Sequence, residues 1–364
     1  MNSVEIKVVP PYSALIESEL LQRAGERIRE WLPECGRFFV LTVAPVRKPW
    51  GAALAASLTA AELKHEFLDM NDGERYKTLG TVEDIAGRLV RRGADRKSAI
   101  VAFGGGVVGD VAGFLASVYM RGIDVVQVPT TFLAQVDASV GGKTGVDLKE
   151  GKNLVGTFHH PRGVLIDPAT LSTLPERDYR SGLYEAMKCG IIANPEIFRF
   201  MEDNRERILA RDTAALEWLI TESVRVKAEV VSADEREAGL RRILNFGHTI
   251  GHALEAETGY RQFLHGEAVA WGMVAASMIA AALQLTEADT ARRIISTVLA
   301  YASLPKVAVR GKRIAHRLLA DKKTVNGVVH FVLPAAIGRV EIAPDVPERA
   351  VIQAVDELRY LSQA

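Results

Sequence analysis

The hydrophobic rhythm of the chain changes about half-way along. In the first half, short apolar runs alternate with amphipathic stretches. Glu5–Val9, Phe38–Val43, Glu66–Met70, Ser98–Phe103 and Ile123–Val128 read as strands. Ser18–Trp31, Val82–Arg92 and Val107–Tyr119 carry apolar residues at helical spacing, and Gly93 stops the second. Strands alternating with helices predict a parallel sheet covered by helices. From Pro175 the helical period prevails, over 176–193, 195–209, 213–234, 241–257, 266–284 and 288–302. A late hairpin, Val328–Pro334 with Arg339–Ile342, precedes a closing helix, Glu348–Leu361. The pattern predicts an α/β domain with a parallel sheet over 1–173, then a mainly helical domain over 174–364.

Composition narrows the class. The 364 residues are 48% hydrophobic and 25% charged, a soluble globular balance. Lys plus Arg and Asp plus Glu are 45 each, so no charge excess points to nucleic acid or an anionic membrane. Cys35 and Cys189 make no disulfide framework and fit a reducing, cytoplasmic setting. MNSVEIKVVPPYS has no apolar core, so no secretion signal is expected. The longest uncharged apolar run, Ala268–Leu283, is shorter than the ~20 residues a membrane span needs.

Several loops carry candidate chemistry. Gly104-Gly105-Gly106-Val107-Val108-Gly109-Asp110 follows an apolar strand and opens a helix, matching G-x-G-x-x-G. Bare backbone there admits a phosphate at a helix N-terminus, or simply a tight packing turn. It is not the first βα turn, and Asp124, about where the fingerprint's acidic residue is expected, begins a strand instead of ending one, so the ordinary dinucleotide fingerprint fails in detail. The segment Asp137–Gly145 is no phosphate-binding P-loop, because Asp137 replaces the first glycine. Thr130-Thr131, Lys143, Lys152-Asn153 and Arg121 sit on loops near strand ends, as a polyanionic small substrate would require. Any one of them alone is more often a solvated surface group.

In the second half, Glu185 and Lys188 share a face of an apolar helix, and the carboxylate needs Lys188, a metal or both. Three of the eight histidines fall within Arg241–Glu267. His248 and His252 are one helical turn apart, with Asn245 a turn earlier, so the three are expected on one face. Metal, substrate or core hydrogen bonds would each satisfy them.

Taken together these motifs resemble the 3-dehydroquinate synthase family. The resemblance covers nearly the whole chain, through DGERYKT at 72–78, GGGVVGDVAGFLAS at 104–117, YMRG at 119–122, VPTTFLAQVDASVGGKTGVD at 128–147, KNLVGTFHHP at 152–161, GLYEAMKCGII at 182–192, LRRILNFGHTIGHALE at 240–255 and HGEAVAWGM at 265–273. It implies a Rossmann-like NAD-binding domain and a mainly α-helical metal- and substrate-binding domain.

NAD is then expected on Asp72, Gly73, Glu74, Arg75, Tyr76 and Lys77, on Gly105, Gly106, Val107, Val108, Gly109 and Asp110, on Thr130, Thr131, Lys143 and Lys152, and on the turn Thr170, Leu171, Ser172 and Thr173. One divalent metal, zinc or cobalt, is expected on Glu185, His248 and His265, with His252 and Glu237 as proton-transfer groups. Arg121, Asn153 and Lys188 are expected to hold a substrate phosphate, and Lys143, Lys227, Arg241 and Asn245 a carboxylate and hydroxyls. Asp137 and one lysine of Lys322-Lys323, taken as Lys323, complete the catalytic set.

The implied reaction turns 3-deoxy-D-arabino-heptulosonate 7-phosphate into 3-dehydroquinate and phosphate, the second step of the shikimate route to aromatic amino acids. It proceeds by transient oxidation, phosphate elimination, re-reduction and aldol closure. A cytoplasmic homodimer acting on a phosphorylated keto-sugar acid, without nucleic acid or membrane partners, is expected. The family's usual Asp-x-Asn after the second strand is Val43-Ala44-Pro45 here. A cyclase for a carboxylate-free sugar phosphate, a metal-dependent polyol dehydrogenase and a non-catalytic NAD-binding protein are the competing readings. The basic set argues against the first, the phosphate-binding set against the second and the intact histidines against the third.

Overall fold

The computed structural model describes residues 1–324, 329–344 and 346–363, without the side chains of 320–324. Lys322, Lys323 and the Val328 end of the expected hairpin therefore lie outside the described residues. In chain order the elements are β1 (Asn2–Ile6), β2 (Tyr12–Ile16), α1 (Ala24–Trp31), β3 (Arg37–Val43), α2 (Ala44–Ala60), β4 (His65–Met70), α3 (Leu79–Arg91), β5 (Ser98–Gly104), α4 (Gly106–Val118), β6 (Asp124–Pro129), β7 (Lys143–Leu148), β8 (Gly151–Phe158), β9 (Gly163–Ile166), α5 (Glu176–Ile192), α6 (Pro195–Asp203), α7 (Arg205–Leu209), α8 (Thr213–Ala233), α9 (His248–Glu257), α10 (His265–Ala282), α11 (Ala288–Ala300), α12 (Gly311–Thr324), β10 (His330–Ala336), β11 (Arg339–Pro344) and α13 (Glu348–Leu361). No described helix is long and apolar enough to cross a membrane. Two compact units result: Met1–Pro175 with Thr213–Ser232, and Glu176–Asp212 with Ala233–Ala364.

The first unit is a Rossmann-like layered unit. Its seven-stranded sheet runs β1-β2-β9-β6-β5-β3-β4, parallel except for the β1–β2 hairpin. All of β5 is buried because both sheet faces are covered, as parallel strands require. Ile100 and Ala102 pack with α3 and α4, while Ala99, Val101 and Phe103 pack with α1 and α2. Helix α8 belongs here as well: Ser18 N donates to Glu217 Oε1 at 2.7 Å and Lys7 N to Ser232 Oγ at 2.9 Å.

Several expected elements differ. A strand over Glu5–Val9 is replaced by β1 and β2 on either side of Pro10-Pro11. Ser18–Trp31 is a 3-10 turn, Leu20–Arg23, followed by α1. Helix α2, strand β9 and the β7–β8 hairpin had no periodic signal. α2 carries Pro45 and Pro49 in an Ala-rich stretch, and β8 is glycine-flanked and half-exposed. The second unit splits 195–209 into α6 and α7, and 241–257 into a 3-10 turn, Leu240–Asn245, and α9.

The mainly helical second unit is built round α10. Every residue from Gly266 to Ser277 is buried, which explains why its sequence is apolar on all sides. Helices α5, α9, α11 and α13 and strand β10 pack against it. The crossing with α9 is close because both helices present glycine. A Cβ on Gly272 would stand 1.7 Å from the Gly247 carbonyl oxygen, and one on Gly251 would stand 2.9 Å from that of Ala268. This crossing sets the distance between the histidines of α9 and His265 at the start of α10. Backbone cannot retreat as a flexible side chain can, so Gly272→Ala is expected to destabilise by at least ~1–3 kcal/mol, as overpacked sites do. Urea unfolding checks this against Gly36→Ala, whose Cβ would meet nothing within 4 Å. Equal midpoints for the two would remove the argument.

Candidate active site

In the first unit, Gly104–Gly106 lies at the carboxyl end of β5, where the chain has crossed from β4 over β3 to the other side of the sheet. Such a reversal is where open parallel sheets place ligands. The glycines have separate reasons. A Cβ on Gly104 would meet Val108 Cγ2 at 2.6 Å, and one on Gly105 would meet Thr131 Cγ2 at 2.9 Å. Gly109 lets α4 rest on β6: its Cβ would stand 2.9 Å from Gln127 Oε1, while Gln127 Nε2 donates to its carbonyl at 3.1 Å. No side chain caps the first turn of α4, so Gly106, Val107 and Val108 begin it with amides suited to an anion. Thr130 N donates to Gly104 O at 3.0 Å, and its buried hydroxyl has no hydrogen-bond partner among the described residues. Thr131 Oγ1 accepts from Ala134 N at 3.2 Å.

One lysine ties the neighbouring loops together. Lys77, 4% exposed, sits 2.5 Å from Asp110 Oδ2 and donates to Asn153 Oδ1 at 2.5 Å. Burial raises the Asp110 carboxyl above its ordinary value, and Lys77 partly offsets this. Asp72 and Gly73 (φ 107°) lead into a short turn over Glu74–Tyr76, where Arg75 lies 4.8 Å over the Tyr76 ring. Glu74 Oε1 is 3.3 Å from Lys152 Nζ. The 72–77 loop, the start of α4 and the β7–β8 hairpin thus share one polar chain.

The 170–173 turn is largely internal. Thr170 and Leu171 are buried, Gln135 Nε2 donates to Thr170 Oγ1 at 3.0 Å, Ser172 Oγ donates to Ala169 O at 2.7 Å, and Thr173 Oγ1 accepts from Trp50 at 2.8 Å. Ala134–Ala138 forms a wide π turn, a form that recurs at functional sites. Lys227 of α8 donates there to Asp137 O and Oδ1, both at 2.5 Å. Lys143 opens β7 at an exposed position. Arg121 is exposed in a left-handed turn (φ 71°) and is not joined to these groups by a hydrogen bond or ion pair among the described residues.

In the second unit a carboxylate meets three imidazoles. Glu185, 1% exposed on α5, forms an ion pair with Lys188, 2% exposed, one turn on. Its Oε1 lies 3.7 Å from His248 Nε2 and 3.6 Å from His265 Nε2. The rings of His248, His252 and His265 have centroids 5.1–5.6 Å apart, and their nearest ligand atoms lie within 4.8 Å of one another. Each flanking histidine is oriented from behind. His248 Nδ1 faces Phe246 O at 3.1 Å, and His265 Nδ1 faces Glu255 Oε2 at 3.4 Å. Burial holds His248 well below the ordinary imidazole range, helped by the charge of Lys188. Burial opposes charge on His265 too, but the Glu255 bond and the charge of Glu185 carry it above the ordinary value.

Asn245 does not share the His248–His252 helix face as expected. Gly247, with φ 81°, separates the 3-10 turn from α9. Asn245 Nδ2 instead donates to Glu237 Oε1 at 3.0 Å. Glu237 stands in the left-handed region (φ 61°), and Arg241, 2% exposed, donates to Glu235 O at 2.5 Å.

Three carboxylates support these groups, of which Asp234 and Glu255 escaped the sequence reading. Asp234 accepts from the amides of Ala238, Gly239 and Arg241 at 2.8–2.9 Å. Glu267 accepts Leu264 N at 2.8 Å and both arms of Arg177 at 2.7 Å, fixing the turn that carries His265. Glu255 backs His265. Of those two, only Glu255 had a usable signal, three residues after His252 and seven after His248 on a helix face.

The chain is 29% identical to 2-epi-5-epi-valiolone synthase from Streptomyces hygroscopicus subsp. jinggangensis, a structure with NAD+ and Zn2+ bound, at a TM-score of 0.88 over 96% of this chain and 97% of that one. It is 28% identical to 2-deoxy-scyllo-inosose synthase complexed with carbaglucose-6-phosphate, NAD+ and Co2+, at 0.87 over 98% and 99%. Fold and site thus define the class of sugar phosphate cyclases. The family profiles of the 3-dehydroquinate synthase N-terminal and C-terminal domains match residues 67–181 and 182–324. A 3-dehydroquinate synthase from Koribacter versatilis is 63% identical over 351 residues, 96% of each chain. The chain belongs to the 3-dehydroquinate synthase family, and it is an enzyme.

The Asp234 cluster gives a pH-dependent expectation. Its three amides hold the carboxyl below the ordinary range, so its contribution to the 235–241 loop is present above the unfolded value and lost as pH falls through the folded one. Protection of the Ala238, Gly239 and Arg241 amides from hydrogen exchange should persist at neutral pH, fade only in acid, and be lost at every pH in Asp234→Ala. Retained protection in the variant would overturn this.

Proposed function

We propose that the protein converts 3-deoxy-D-arabino-heptulosonate 7-phosphate into 3-dehydroquinate and inorganic phosphate, with NAD and one divalent metal, zinc or cobalt, as resident cofactors. The observation that carries this is the 63% identity with a 3-dehydroquinate synthase across 96% of both chains. The site is consistent with it. Glu185 Oε2 is paired with Lys188, whereas Oε1 is buried without a hydrogen-bond partner among the described residues and faces two imidazole nitrogens. One carboxylate and two imidazoles suit zinc or cobalt, so Glu185, His248 and His265 would hold the metal. Gly104–Gly106, a buried Thr130 hydroxyl without a hydrogen-bond partner among the described residues and the uncapped start of α4 suit a dinucleotide phosphate.

When bound, NAD supplies a reversible hydride acceptor and the metal a Lewis acid that lowers the pKa of a hydroxyl. The protein's part is binding, orientation and proton transfer. His248, kept neutral by burial, offers a lone pair instead of a charge. His252 is the exposed member of the imidazole cluster and is assigned proton exchange with substrate. Glu237, oriented by Asn245, is assigned the second proton-transfer role. Arg121, Asn153 and Lys188 are assigned the departing phosphate; Lys143, Lys227, Arg241 and Asn245, with Asp137 positioning Lys227, the carboxylate and hydroxyls. A carboxylate-free substrate would leave this cationic set without its partner, and a polyol dehydrogenase would release NADH.

The test is phosphate release from 3-deoxy-D-arabino-heptulosonate 7-phosphate with catalytic NAD and zinc, while absorbance is followed for NADH. Stoichiometric phosphate without accumulating NADH, abolished by a chelator and by His248→Ala, is expected. Accumulating NADH, or activity only on a carboxylate-free sugar phosphate, would overturn the reading.

The finer expectation of a homodimer is supported by exposed apolar side chains on the first unit. Val118, Met120, Leu154 and Phe158 are 40–61% exposed, and Ser117 is bonded to Thr157 across the elements that carry them. Sedimentation equilibrium should give twice the chain mass, falling towards one chain in Leu154→Asp with Phe158→Asp. A monomer at micromolar concentration in the parent would refute it.

A further inference from the structure

Glu255 has no part in the reaction assigned above, yet its carboxylate is among the most enclosed in the second unit. The residue is 3% exposed and lies on α9, seven positions after His248 and three after His252. That spacing puts all three on the helix face turned towards His265. Its Oε2 stands 3.4 Å from His265 Nδ1, while His265 Nε2, the other ring nitrogen, stands 3.6 Å from Glu185 Oε1. The His265 ring is therefore held between two carboxylates, one at each nitrogen. His248 has no such arrangement, since its Nδ1 faces the neutral carbonyl of Phe246.

We propose that Glu255 is a positioning residue of the metal centre: it fixes the His265 ring so that Nδ1 carries the hydrogen and Nε2 presents its lone pair to a divalent cation. This rests on the metal reading of Glu185, His248 and His265. The physical grounds are independent of that family's motifs. A ligating imidazole can offer only one nitrogen, and the partner of the other nitrogen decides which one. A carboxylate accepts a hydrogen but cannot donate one when ionised, so it selects a single tautomer. It also adds negative charge behind the ring, which makes the imidazole a stronger donor. The centre needs that charge, because the Lys188 ammonium is paired to Glu185 and opposes a cation there. The turn on which His265 rides is already fixed by Glu267 and Arg177, so ring orientation is the freedom left for Glu255 to remove.

The experiment compares the parent, Glu255→Gln and His265→Ala as full-length apo-proteins prepared with a chelator. Zinc affinity is read by competition with a chromophoric chelator, and cobalt(II) loading by its visible absorption bands. Thermal unfolding of the metal-free forms is recorded alongside. Gln keeps the size of the side chain but also offers N–H donors, so it no longer enforces the tautomer. Glu255→Gln is expected to weaken zinc binding about 10–100-fold, the range for lost outer partners of metal ligands. The cobalt bands should change, and the apo unfolding midpoint should match the parent. His265→Ala should weaken binding further. Unchanged zinc affinity in Glu255→Gln beside a clear loss in His265→Ala would overturn the proposal and leave the metal reading intact. Unchanged affinity in both would remove the metal reading itself. An apo midpoint lowered in step with affinity would make Glu255 a folding residue, and that too would overturn the proposal.

Discussion

Glu185 is 1% exposed within the buried stretch 181–192 of α5. A carboxylate withdrawn this far from water costs several kcal/mol unless charges and donors meet it. Much of the second unit answers that constraint. Lys188 meets it from one turn along the same helix, and His248 and His265 meet it from two other helices. Lys188 supplies a full positive charge and uses one oxygen, while Oε1 is left between imidazoles at 3.6–3.7 Å. Those distances are too long for hydrogen bonds. The arrangement is therefore better matched to an ion than to the protein's own groups.

The geometry of that centre is fixed by backbone at least as much as by side chains. Helix α10 crosses α9 on glycine, so the start of one helix and the face of the other are placed by contacts that no side chain can relax. The turn before α10 is then tied by Glu267 to both Leu264 and Arg177. The first unit uses the same strategy: Gly109 seats α4 on Gln127, and Lys77 joins three loops through two short polar contacts. In both units a buried charged residue holds loops together, and the groups left over are assigned to ligands.

The sequence was most legible where burial was complete. Strands β3, β5 and β6 are buried apart from the half-buried first residues of β3 and β6, because helices cover both faces of the sheet, and their mostly apolar runs declared them. Helix α2 was silent because two prolines and many alanines erase its period, and β8 because its exposure pattern is half polar with glycines. The two-histidine helix face and the Glu185–Lys188 pair were readable from spacing alone. The approach of Glu185 to His265 was not, since those residues are eighty apart and meet only through packing; it came from the resemblance. Asn245 misled because a period continues smoothly through Gly247, whereas the backbone does not: φ 81° ends one element and starts another. Asp234, Glu255 and Glu267 bind backbone or other side chains, and such partners leave no mark on periodicity.

Backbone strain points the same way as the side chains. Among the described residues nine non-glycine positions have positive φ, and Arg121, Asn153 and Glu237 are three of them, although candidate site residues are a small part of the chain. For Asn the left-handed region is mild; for Arg and Glu it costs on the order of 1–2 kcal/mol. Such conformations persist only where the surroundings over-determine them. For Glu237 the surroundings are visible: Asp234 gathers three amides of the same loop, and Asn245 takes the Glu237 carboxylate. For Asn153, Asp147 takes its amide at 2.8 Å while Lys77 takes its side-chain oxygen. In each case a second residue offsets the strain of the first. A fold that maintained these turns for stability alone would replace them with glycine; keeping a carboxylate and a guanidinium there is intelligible when the side chain itself is needed at that point.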